Sequence, residues 1–413
     1  MVTLRPVNRA LVPVSSEAAH RVSAPNYDEF QSDKEVWDLL QQKPENVLRI
    51  TMAHCHVDDL SQAVEEGGDA ALAHSGEQMQ DLVGSPLTKE IEGLLWVYEI
   101  TSPKRTQHPQ IGIGGFAASN EIRTEKVPDG SIIRNEGIRP EKAEGRAKLI
   151  NATSSYIGTV NLAVKDSAGD LQKALVATTT AGSADFEATD EAGNIHRVWL
   201  VTSNDDQQTF IDLLAAEPAA YVADGNHRSA AAAALGKDHF LTVFFPTERL
   251  GLEPYNRLLP LNGVTNENFL EQLAENFDVT PLTVTASYRP DSIHKLGVYL
   301  DSNWYELSPK AGSYDPANGA ESIDADIVQR HIIDKILGMS DARDKRINYV
   351  GGNKTAEYLE QRVNSGDFDL AISLAPVTME QFVDVCDQNR FMPPKSTWFD
   401  PKVRSGLVIA LLD

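Results

Sequence analysis

One run of residues combines a carboxylate, a glycine, an amide, an imidazole and a guanidinium at a predicted strand-to-helix turn: Asp224, Gly225, Asn226, His227 and Arg228. The apolar residues 219–223 before it predict a strand, and the alanine-rich residues 228–235 predict a helix closed by Gly236. Unpaired backbone N–H groups and the positive end of the helix dipole make such a helix start a binding place for anions. Because Gly225 also lets the backbone approach a ligand closely, the run is a candidate phosphate site.

The two basic residues of this run break a local rule. A cation in the first turn of a helix opposes the dipole by about 0.3–1 kcal/mol, and such violations concentrate at functional sites. A bound phosphate would compensate both His227 and Arg228, while Asp224 could orient one of them or hold Mg²⁺. The alternative is purely structural: Asp224 pairs with Arg228, and His227 faces the solvent.

A second candidate is the hydroxyl-rich run Lys395-Ser396-Thr397, which follows Met392-Pro393-Pro394. Two prolines stiffen the approach to it, and a lysine beside two hydroxyl groups is a reasonable phosphate contact. The alternative is a solvated surface loop.

A third candidate lies in residues 132–137. Arg134 could hold a phosphate with its forked guanidinium, and Glu136 could serve as a general base or a metal ligand. The alternative is again a solvated charged loop, because the segment follows the predicted turn Pro128-Asp129-Gly130.

Three other motifs are excluded by their predicted setting. An extended His54-Cys55-His56 would point Cys55 away from both histidines, so we expect no metal there. Residues 112–115 are not a dinucleotide fingerprint, because a strand continues where a helix is required. Residues 351–355 carry the Lys-Thr of a phosphate-binding P-loop without its first glycine. No Ser/His/Asp triad and no nucleophilic cysteine setting is found in the sequence.

The elements that position these residues follow from hydrophobic periodicity. Helices are predicted at 32–42, near 58–66, and at 138–151, 205–215 (with Asn204 as a cap), 228–235, 267–277, 327–337 and 355–363. Strands are predicted at 46–52, 94–100, 110–118, 161–164, 175–179, 195–201, 219–223, 240–245, 295–300, 303–307, 347–350, 370–374 and 406–412, and residues 1–30 are expected to be irregular.

This pattern predicts an α/β fold (mixed α+β), in which mixed sheets are flanked by helices. Residues 1–250 are expected to form an N-terminal and central region that carries residues 224–228, called the Asp224 loop below. Residues 251–413 are expected to form a C-terminal α/β region. The run from 219 to 245 has the size of a βαβ unit, and residues 347–374 suggest a second strand–helix–strand unit.

Composition limits the function classes. The 413 residues are 41% apolar and 23% charged, which is typical of a globular protein. A net charge of −23 disfavours nucleic acid and anionic lipid surfaces as partners. Two cysteines make no disulfide framework, no apolar run is long enough to span a membrane, and no signal peptide is evident. We therefore expect a cytoplasmic protein; its oligomeric state is open.

Several motifs resemble those of the DUF1015 family. Residues 221–230 are similar to the family's "ADGHHR" signature, and residues 24–28 to its "APPYD" element. Residues 254–257 and the run 392–402, followed by 405–407, match further family segments in the same order, so the resemblance covers nearly the whole chain. This sequence departs from the pattern at Asn226, where the family has histidine, and at Asn26, where a second proline is usual; residues 134–136 resemble the family's "RPHE" or "RHE" stretch only at their ends.

The resemblance implies a core like that of the ParB/sulfiredoxin superfamily, whose members bind or use nucleoside triphosphates and include kinases of free serine. It implies an ATP-dependent phosphotransferase that acts on a small hydroxyl metabolite, with ATP or another nucleoside triphosphate and Mg²⁺ as cofactors and free L-serine as a possible acceptor. Asp224, His227 and Glu136 are then candidate catalytic residues, and Asp224 also a candidate Mg²⁺ ligand. Candidate nucleotide contacts are Gly225, Asn226, Arg228, Arg134, Lys395, Ser396 and Thr397.

Two other functional classes compete with this reading. A nucleotide-binding regulatory module without turnover would use the same loop, although the acidic charge disfavours direct contact with DNA. A redox enzyme of the sulfiredoxin type is disfavoured, because no cysteine accompanies the Asp224 loop in the sequence.

Overall fold

The computed structural model describes residues 1–30, 32–283 and 286–412, and the side chain of Asp28 lies outside that description. The strands are β1 (Val7–Pro13), β2 (Thr88–Thr101), β3 (Gln110–Ala118), β4 (Ile132–Arg134), β5 (Ser155–Tyr156), β6 (Val160–Val164), β7 (Phe186–Thr189), β8 (Ile195–Val201), β9 (Ala220–Asp224), β10 (His239–Pro246), β11 (Leu252–Glu253), β12 (Tyr255–Leu259), β13 (Phe277–Pro281), β14 (Leu296–Leu300), β15 (Asn303–Pro309), β16 (Asn348–Gly351), β17 (Leu370–Leu374), β18 (Trp398–Phe399) and β19 (Ile409–Leu411).

The α-helices are α1 (Ser16–Val22), α2 (Asp33–Gln42), α3 (Leu48–Thr51), α4 (Asp69–Val83), α5 (Pro140–Thr153), α6 (Asp170–Ala181), α7 (Asn204–Ala215), α8 (Asn226–Ala234), α9 (Asn266–Asn276), α10 (Asp324–Val328), α11 (Ala356–Asn364) and α12 (Met379–Asp387). A π-helical turn, Gln329–Asp334, continues α10. Helices and mixed sheets alternate along the chain, so the predicted α/β class is confirmed.

The chain folds into two compact units. The first contains Met1–Arg134, Ile138–Leu250 and Pro401–Asp413, and the second contains Asn135–Gly137 and Gly251–Asp400. The chain therefore passes into the second unit after Leu250 and returns to the first for its last residues.

The first unit is built on a mixed sheet of order β4-β9-β6-β10-β3-β2-β1-β19-β5, to which β8 adds on β2 and β7 on β8. Only β4 with β9 and β6 with β10 pair in parallel among the strands that the structure describes. Gly114 of β3 leaves room for the indole of Trp96, since a Cβ at this position would lie 2.0 Å from the ring. The expectation that a strand continues through residues 112–115 is confirmed.

The Asp224 loop connects β9 to α8, and α8 leads into β10. The two strands do not form a parallel βαβ unit as predicted: β6 lies between them, antiparallel to β9 and parallel to β10. The order strand, helix, strand was predicted correctly, but the sequence spacing of two strands does not fix their relative direction in the sheet. The result places Asp224 opposite Asn161 in the β6–β9 register.

Two predicted strands are helical. At 46–52 the Asn46 side chain accepts the Leu48 N–H at 3.0 Å and donates to the Ser23 carbonyl at 2.8 Å, and these local bonds favour α3 over a strand. At 175–179 the chain lies within α6. The Asp166 carboxylate satisfies the N–H of Leu171 at the start of that helix.

The N-terminal expectations also need correction. Residues 1–30 are not irregular, because Pro6 and Pro13 fall at the two ends of β1, which lies between β2 and β19 in the sheet. The helix predicted near 58–66 is only a 3₁₀ turn, Leu60–Gln62, and α4 begins after the glycine turn instead. The cap of α7 is Ser203, with Asn204 inside the helix.

The His54-Cys55-His56 segment is also not extended, because Ala53–Cys55 forms a 3₁₀ turn. The geometric ground for expecting no metal is therefore wrong. His54 Nε2 lies 3.3 Å from Asp33 Oδ1, and Cys55 offers its sulfur to the same cluster. Burial raises the pKa of the Cys55 thiol to about 12, as in an inert core cysteine.

The second unit contains an antiparallel sheet of order β13-β15-β14-β17-β12-β16 and a short β11–β18 ribbon. The predicted hairpin of β14 and β15 is confirmed, with Leu300 opposite Asn303. Strands β16 and β17 flank β12, each antiparallel to it, so the predicted second strand–helix–strand unit is a crossover that skips one strand. No described helix is long and apolar enough to cross a membrane.

A buried polar chain in the first unit carries a pH-dependent contribution to stability. The Tyr98 hydroxyl lies 2.6 Å from His196 Nδ1, and His196 Nε2 lies 3.2 Å from Asp190 Oδ2. Burial lowers the pKa of His196 below its ordinary value of 6.5. The folded chain therefore binds fewer protons at this group than the unfolded chain once the pH falls below that value.

We accordingly expect the free energy of unfolding to fall between pH 7 and pH 5, by at most about 1.4 kcal/mol per pH unit for one histidine. Denaturant unfolding at several pH values measures this slope. The variant His196→Gln should show a shallower slope, while His20→Gln, at an exposed position of the same unit, should keep it. Equal slopes in all three proteins would contradict the assignment to His196.

Candidate functional site

The turn between β9 and α8 depends on Gly225. This residue has φ +99° and is the N-cap, immediately before the first helical residue, Asn226. A Cβ at Gly225 would lie 3.0 Å from the Arg228 Nε atom and 3.2 Å from the Val160 Cα atom. A residue without a side chain is therefore needed for both conformation and space.

Asp224 is paired with two cations. Its Oδ2 atom accepts a hydrogen bond from Arg228 Nη2 at 2.5 Å, and its Oδ1 atom lies 3.6 Å from Lys402 Nζ. These side chains are only 17%, 11% and 10% exposed, so solvent screens the pairs weakly. The ion pair between Asp224 and Arg228, which the sequence offered as the structural alternative, is therefore present.

Arg228 also binds backbone and side-chain oxygens from distant segments. Its Nη1 atom donates to the Thr159 carbonyl and, at 3.3 Å, to the Asn26 side-chain oxygen. Asn26 in turn accepts from the Ser405 hydroxyl at 2.9 Å and donates to the Val403 carbonyl at 3.0 Å. The loop is thereby connected to the N-terminal segment, to β6 and to the last segment of the chain.

His227 contacts a helix start. Its Nε2 atom accepts the backbone N–H of Arg139 at 3.0 Å, and Arg139 immediately precedes α5. An imidazole nitrogen that accepts a hydrogen bond carries no proton, so His227 is neutral with its proton on Nδ1. One of the two cations expected to oppose the dipole of α8 is therefore uncharged, and the phosphate contact predicted for His227 stays a prediction.

Two buried polar atoms lie beside the loop without a hydrogen-bond partner among the described residues: Arg134 Nε and Asn161 Oδ1. Arg134 ends β4 opposite Val222, and alternation along β9 places Val222 and Asp224 on one face of the sheet. Asn161 is the register partner of Asp224 on the other side. Burial lowers the pKa of Arg134, and leaving such a group unsatisfied costs about 1–3 kcal/mol or more.

A small cavity of about 50 Å³ adjoins Arg228. Its walls are mainly apolar, and they include Leu149, Ile150, Ile157, Val160, Phe240 and Leu241. Two basic groups belong to its lining, Arg228 and an Arg146 guanidinium 3.2 Å from the centre of the Tyr27 ring. The space admits a group of one or two water volumes, which is less than a nucleobase needs.

The surroundings of Asp224 do not fit a resident metal ion. Mg²⁺ prefers oxygen ligands, and the carboxylate that would supply them already faces Arg228 and Lys402. A divalent cation here would lie next to two side-chain cations. The Mg²⁺ role predicted for Asp224 therefore has no support from the donor set.

The remaining predicted residues belong to the second unit. The backbone carbonyl of Asn135, the neighbour of Glu136, accepts the Met392 N–H at 3.0 Å. Residues 135–137 therefore lie beside residues 392–397, called the proline loop below. Lys395 has φ +61°, and its Nζ atom lies 3.2 Å from the Tyr255 hydroxyl. Ser396 donates its hydroxyl to the Pro393 carbonyl at 2.7 Å, a local bond that shapes the loop, and Thr397 follows it at a half-buried position.

The proline loop is held by a buried guanidinium. Arg257 is 2% exposed, donates to the Lys395 carbonyl at 3.2 Å and stacks on the Tyr349 ring at 4.6 Å. Burial lowers the pKa of Arg257 to about 10, yet no carboxylate among the described residues forms an ion pair with it. Arg257 is therefore the internal support of the loop that carries Lys395.

Sequence reasoning missed four supporting residues: Asn26, Arg257, Lys402 and Ser405. Each lies in a segment that resembles the family, so the signal was present as a motif, but no local chemistry indicated a role. Lys402 is 178 residues from Asp224 in sequence, and only the fold brings them together.

The crowding around Gly225 gives a stability prediction. Gly225→Ala should lower the free energy of unfolding by clearly more than Gly236→Ala, because both glycines have positive φ but only Gly225 is crowded. The left-handed backbone costs about 1–2 kcal/mol in each variant, and the contacts with Arg228 and Val160 add to it at Gly225.

Chemical denaturation of both variants tests this difference. Gly236 is the matched control, since it lies at the other end of the same helix and an added Cβ there meets nothing within 4 Å. Equal losses for the two variants would show that the turn tolerates a side chain.

Three solved structures are similar to this chain. A free serine kinase variant in complex with AMP has 11% sequence identity and a TM-score of 0.40, with 71% of this chain and 92% of that one covered. A conserved hypothetical protein from Pyrococcus furiosus has 12% identity and a TM-score of 0.37, covering 71% and 95%. SbnI from Staphylococcus aureus, truncated at its C-terminus, has 10% identity and a TM-score of 0.36, covering 71% and 87%.

No curated protein matches the chain significantly in sequence. The family model described as a protein of unknown function, DUF1015, matches residues 4–331, which is most of the chain. The resemblance found in the motifs is thereby confirmed, and the chain belongs to the DUF1015 family.

Proposed function

We propose that this protein is an ATP-dependent phosphotransferase that acts on a small hydroxyl metabolite, with free L-serine as the first acceptor to test. The observation that carries the proposal is Arg134, a half-buried guanidinium whose Nε atom has no partner among the described residues. It ends β4, the strand that pairs with β9, and its register partner Val222 lies two residues before Asp224. An anion is the ligand that satisfies such a group.

The charges around the loop support an anionic ligand. Arg134, Arg228 and Lys402 carry three positive charges, and Asp224 neutralises one of them. Two positive charges are therefore left over at this loop, in a chain of net charge −23. The backbone N–H groups at the start of α8 add donors of the kind that bind phosphate elsewhere.

Phosphoryl transfer needs positioning, neutralisation of charge and a base. We assign phosphate binding to Arg134 and to the backbone at Gly225 and Asn226, with Arg228 fixed in place by Asp224. The general base is proposed to be Glu136, because both oxygens of Asp224 face cations. Lys395, Ser396 and Thr397 remain proposed phosphate contacts of the proline loop, and Mg²⁺ is proposed to arrive with the nucleotide phosphates.

A nucleotide-binding module without turnover is the second candidate. It is favoured by one observation: the Asp224 carboxylate of the loop is already engaged by Arg228 and Lys402. Such a loop can bind an anion without offering a base to an acceptor. Binding and turnover must therefore be measured separately.

The binding prediction concerns Arg134. Arg134→Ala should raise the dissociation constant of ATP about tenfold or more, because a charge-assisted hydrogen bond contributes about 1.5–3 kcal/mol. Isothermal titration calorimetry measures the affinity. Arg9→Ala is the control of equal charge, on β1 in the same sheet, where Arg9 pairs with Glu90. Unchanged affinity in Arg134→Ala would remove this residue from the site.

The turnover prediction uses ATP, Mg²⁺ and a panel of hydroxyl amino acids. ADP formation above the acceptor-free background, together with a phosphorylated product, is expected with L-serine or a close analogue. Nucleotide binding without product for any acceptor would favour the regulatory module. Absence of any nucleotide binding would contradict both candidates.

A further inference from the structure

A polar cleft of about 470 Å³ lies at the C-terminal end of α8, at the opposite end of that helix from Gly225. Its lining includes Arg5, Ser119, Asn120, Lys237, Asp238 and His239. All of these belong to the first unit. The nine residues of α8 span about 13 Å, so the cleft is separate from the Asp224 loop.

The Ser119 hydroxyl is the first indication of a ligand. Ser119 is 9% exposed, and its Oγ atom has no hydrogen-bond partner within the described residues. Its backbone is fully used, since its N–H donates to the Asp238 carbonyl at 2.8 Å and its carbonyl accepts from Ile122 at 3.3 Å. Ser119 therefore lines the cleft with a buried hydroxyl that the fold itself does not use.

The cations of the cleft are the second indication. Neither Arg5 nor Lys237 forms an ion pair with a carboxylate in the part of the chain that the structure describes, although acidic residues outnumber basic ones 60 to 37. Asp238 is the acidic residue of the lining, which therefore carries one excess positive charge, and Glu121 also lies near His239. Unpaired basic groups around a concave surface attract anions, and the cleft walls strengthen that field.

His239 adds an aromatic wall to the cleft. Its ring stacks on Phe116 with the ring centres 5.9 Å apart, and the Tyr156 hydroxyl donates to its backbone carbonyl at 2.9 Å. Burial and then the nearby Arg5 guanidinium lower the pKa of His239, which keeps the imidazole neutral and able to donate or accept one hydrogen bond. Neutral donors beside two cations suit a ligand with both anionic and polar groups.

We infer that this cleft is a second binding site, which takes a small metabolite carrying a carboxylate or a phosphate group. Arg5 and Lys237 would bind the anionic group, and Ser119 and Asn120 would bind its neutral polar atoms. The volume suits a molecule of metabolite size, well above a single water molecule. The site does not depend on the function proposed for the Asp224 loop.

Titration of the whole protein with malonate and, separately, with inorganic phosphate tests this inference by calorimetry at low salt. Saturable one-site binding of at least one anion is expected. The anion that binds more tightly shows whether the site prefers a carboxylate or a phosphate group. The double variant Arg5→Ala/Lys237→Ala should weaken that binding about tenfold or more. The matched double variant Arg9→Ala/Lys126→Ala removes the same charge elsewhere in the first unit and should keep it.

Ser119→Ala separates a binding role from a structural one. It should weaken binding about threefold or more, while the melting temperature without ligand stays equal or rises, because the variant removes an unsatisfied buried hydroxyl. Binding that is absent up to about 10 mM, or equally strong in both double variants, would overturn the inference. Loss through Arg134→Ala instead would assign the anion to the Asp224 loop and overturn it as well.

Discussion

The first unit depends on a buried carboxylate, Asp224, that is paired with two cations from different segments. It accepts a hydrogen bond from Arg228, four residues later in α8, and faces Lys402 from the last segment of the chain. Three charged groups that are each more than four-fifths buried must be present together, because one partner alone would leave an uncompensated charge in the interior. Arg228 extends the same network to Asn26 and Thr159, so the end of β9, the N-terminal segment and the chain's last segment share one set of contacts.

Local apolar patterns were sufficient for several strands. The segments predicted as β3, β8 and the β14–β15 hairpin pair with their neighbours in a simple antiparallel register. The failures at 46–52 and 175–179 have a different cause. There, side chains of Asn46 and Asp166 bind the backbone nearby, and such bonds decide between helix and strand more strongly than apolar content does.

The candidate site was only partly predictable for a similar reason. The sequence indicated Asp224 and Arg228 because they lie on either side of a predicted strand-to-helix turn. It could not indicate Lys402 or Asn26, since their contacts join segments about 180 and 200 residues apart. Nor could it show that Arg134 Nε lacks a partner, because satisfaction of a buried group is a property of the whole fold.

The return of Pro401–Asp413 to the first unit has a consequence for biosynthesis. Strand β19 inserts between β1 and β5, so one edge of β1 and the short β5 stay unpaired until Gly251–Asp400 has been translated. At typical elongation rates that interval lasts roughly ten seconds or more. During this interval the open strand edges can pair with another nascent chain. The risk of aggregation from these edges therefore depends on the order in which the segments are synthesised, and not on the stability of the finished fold.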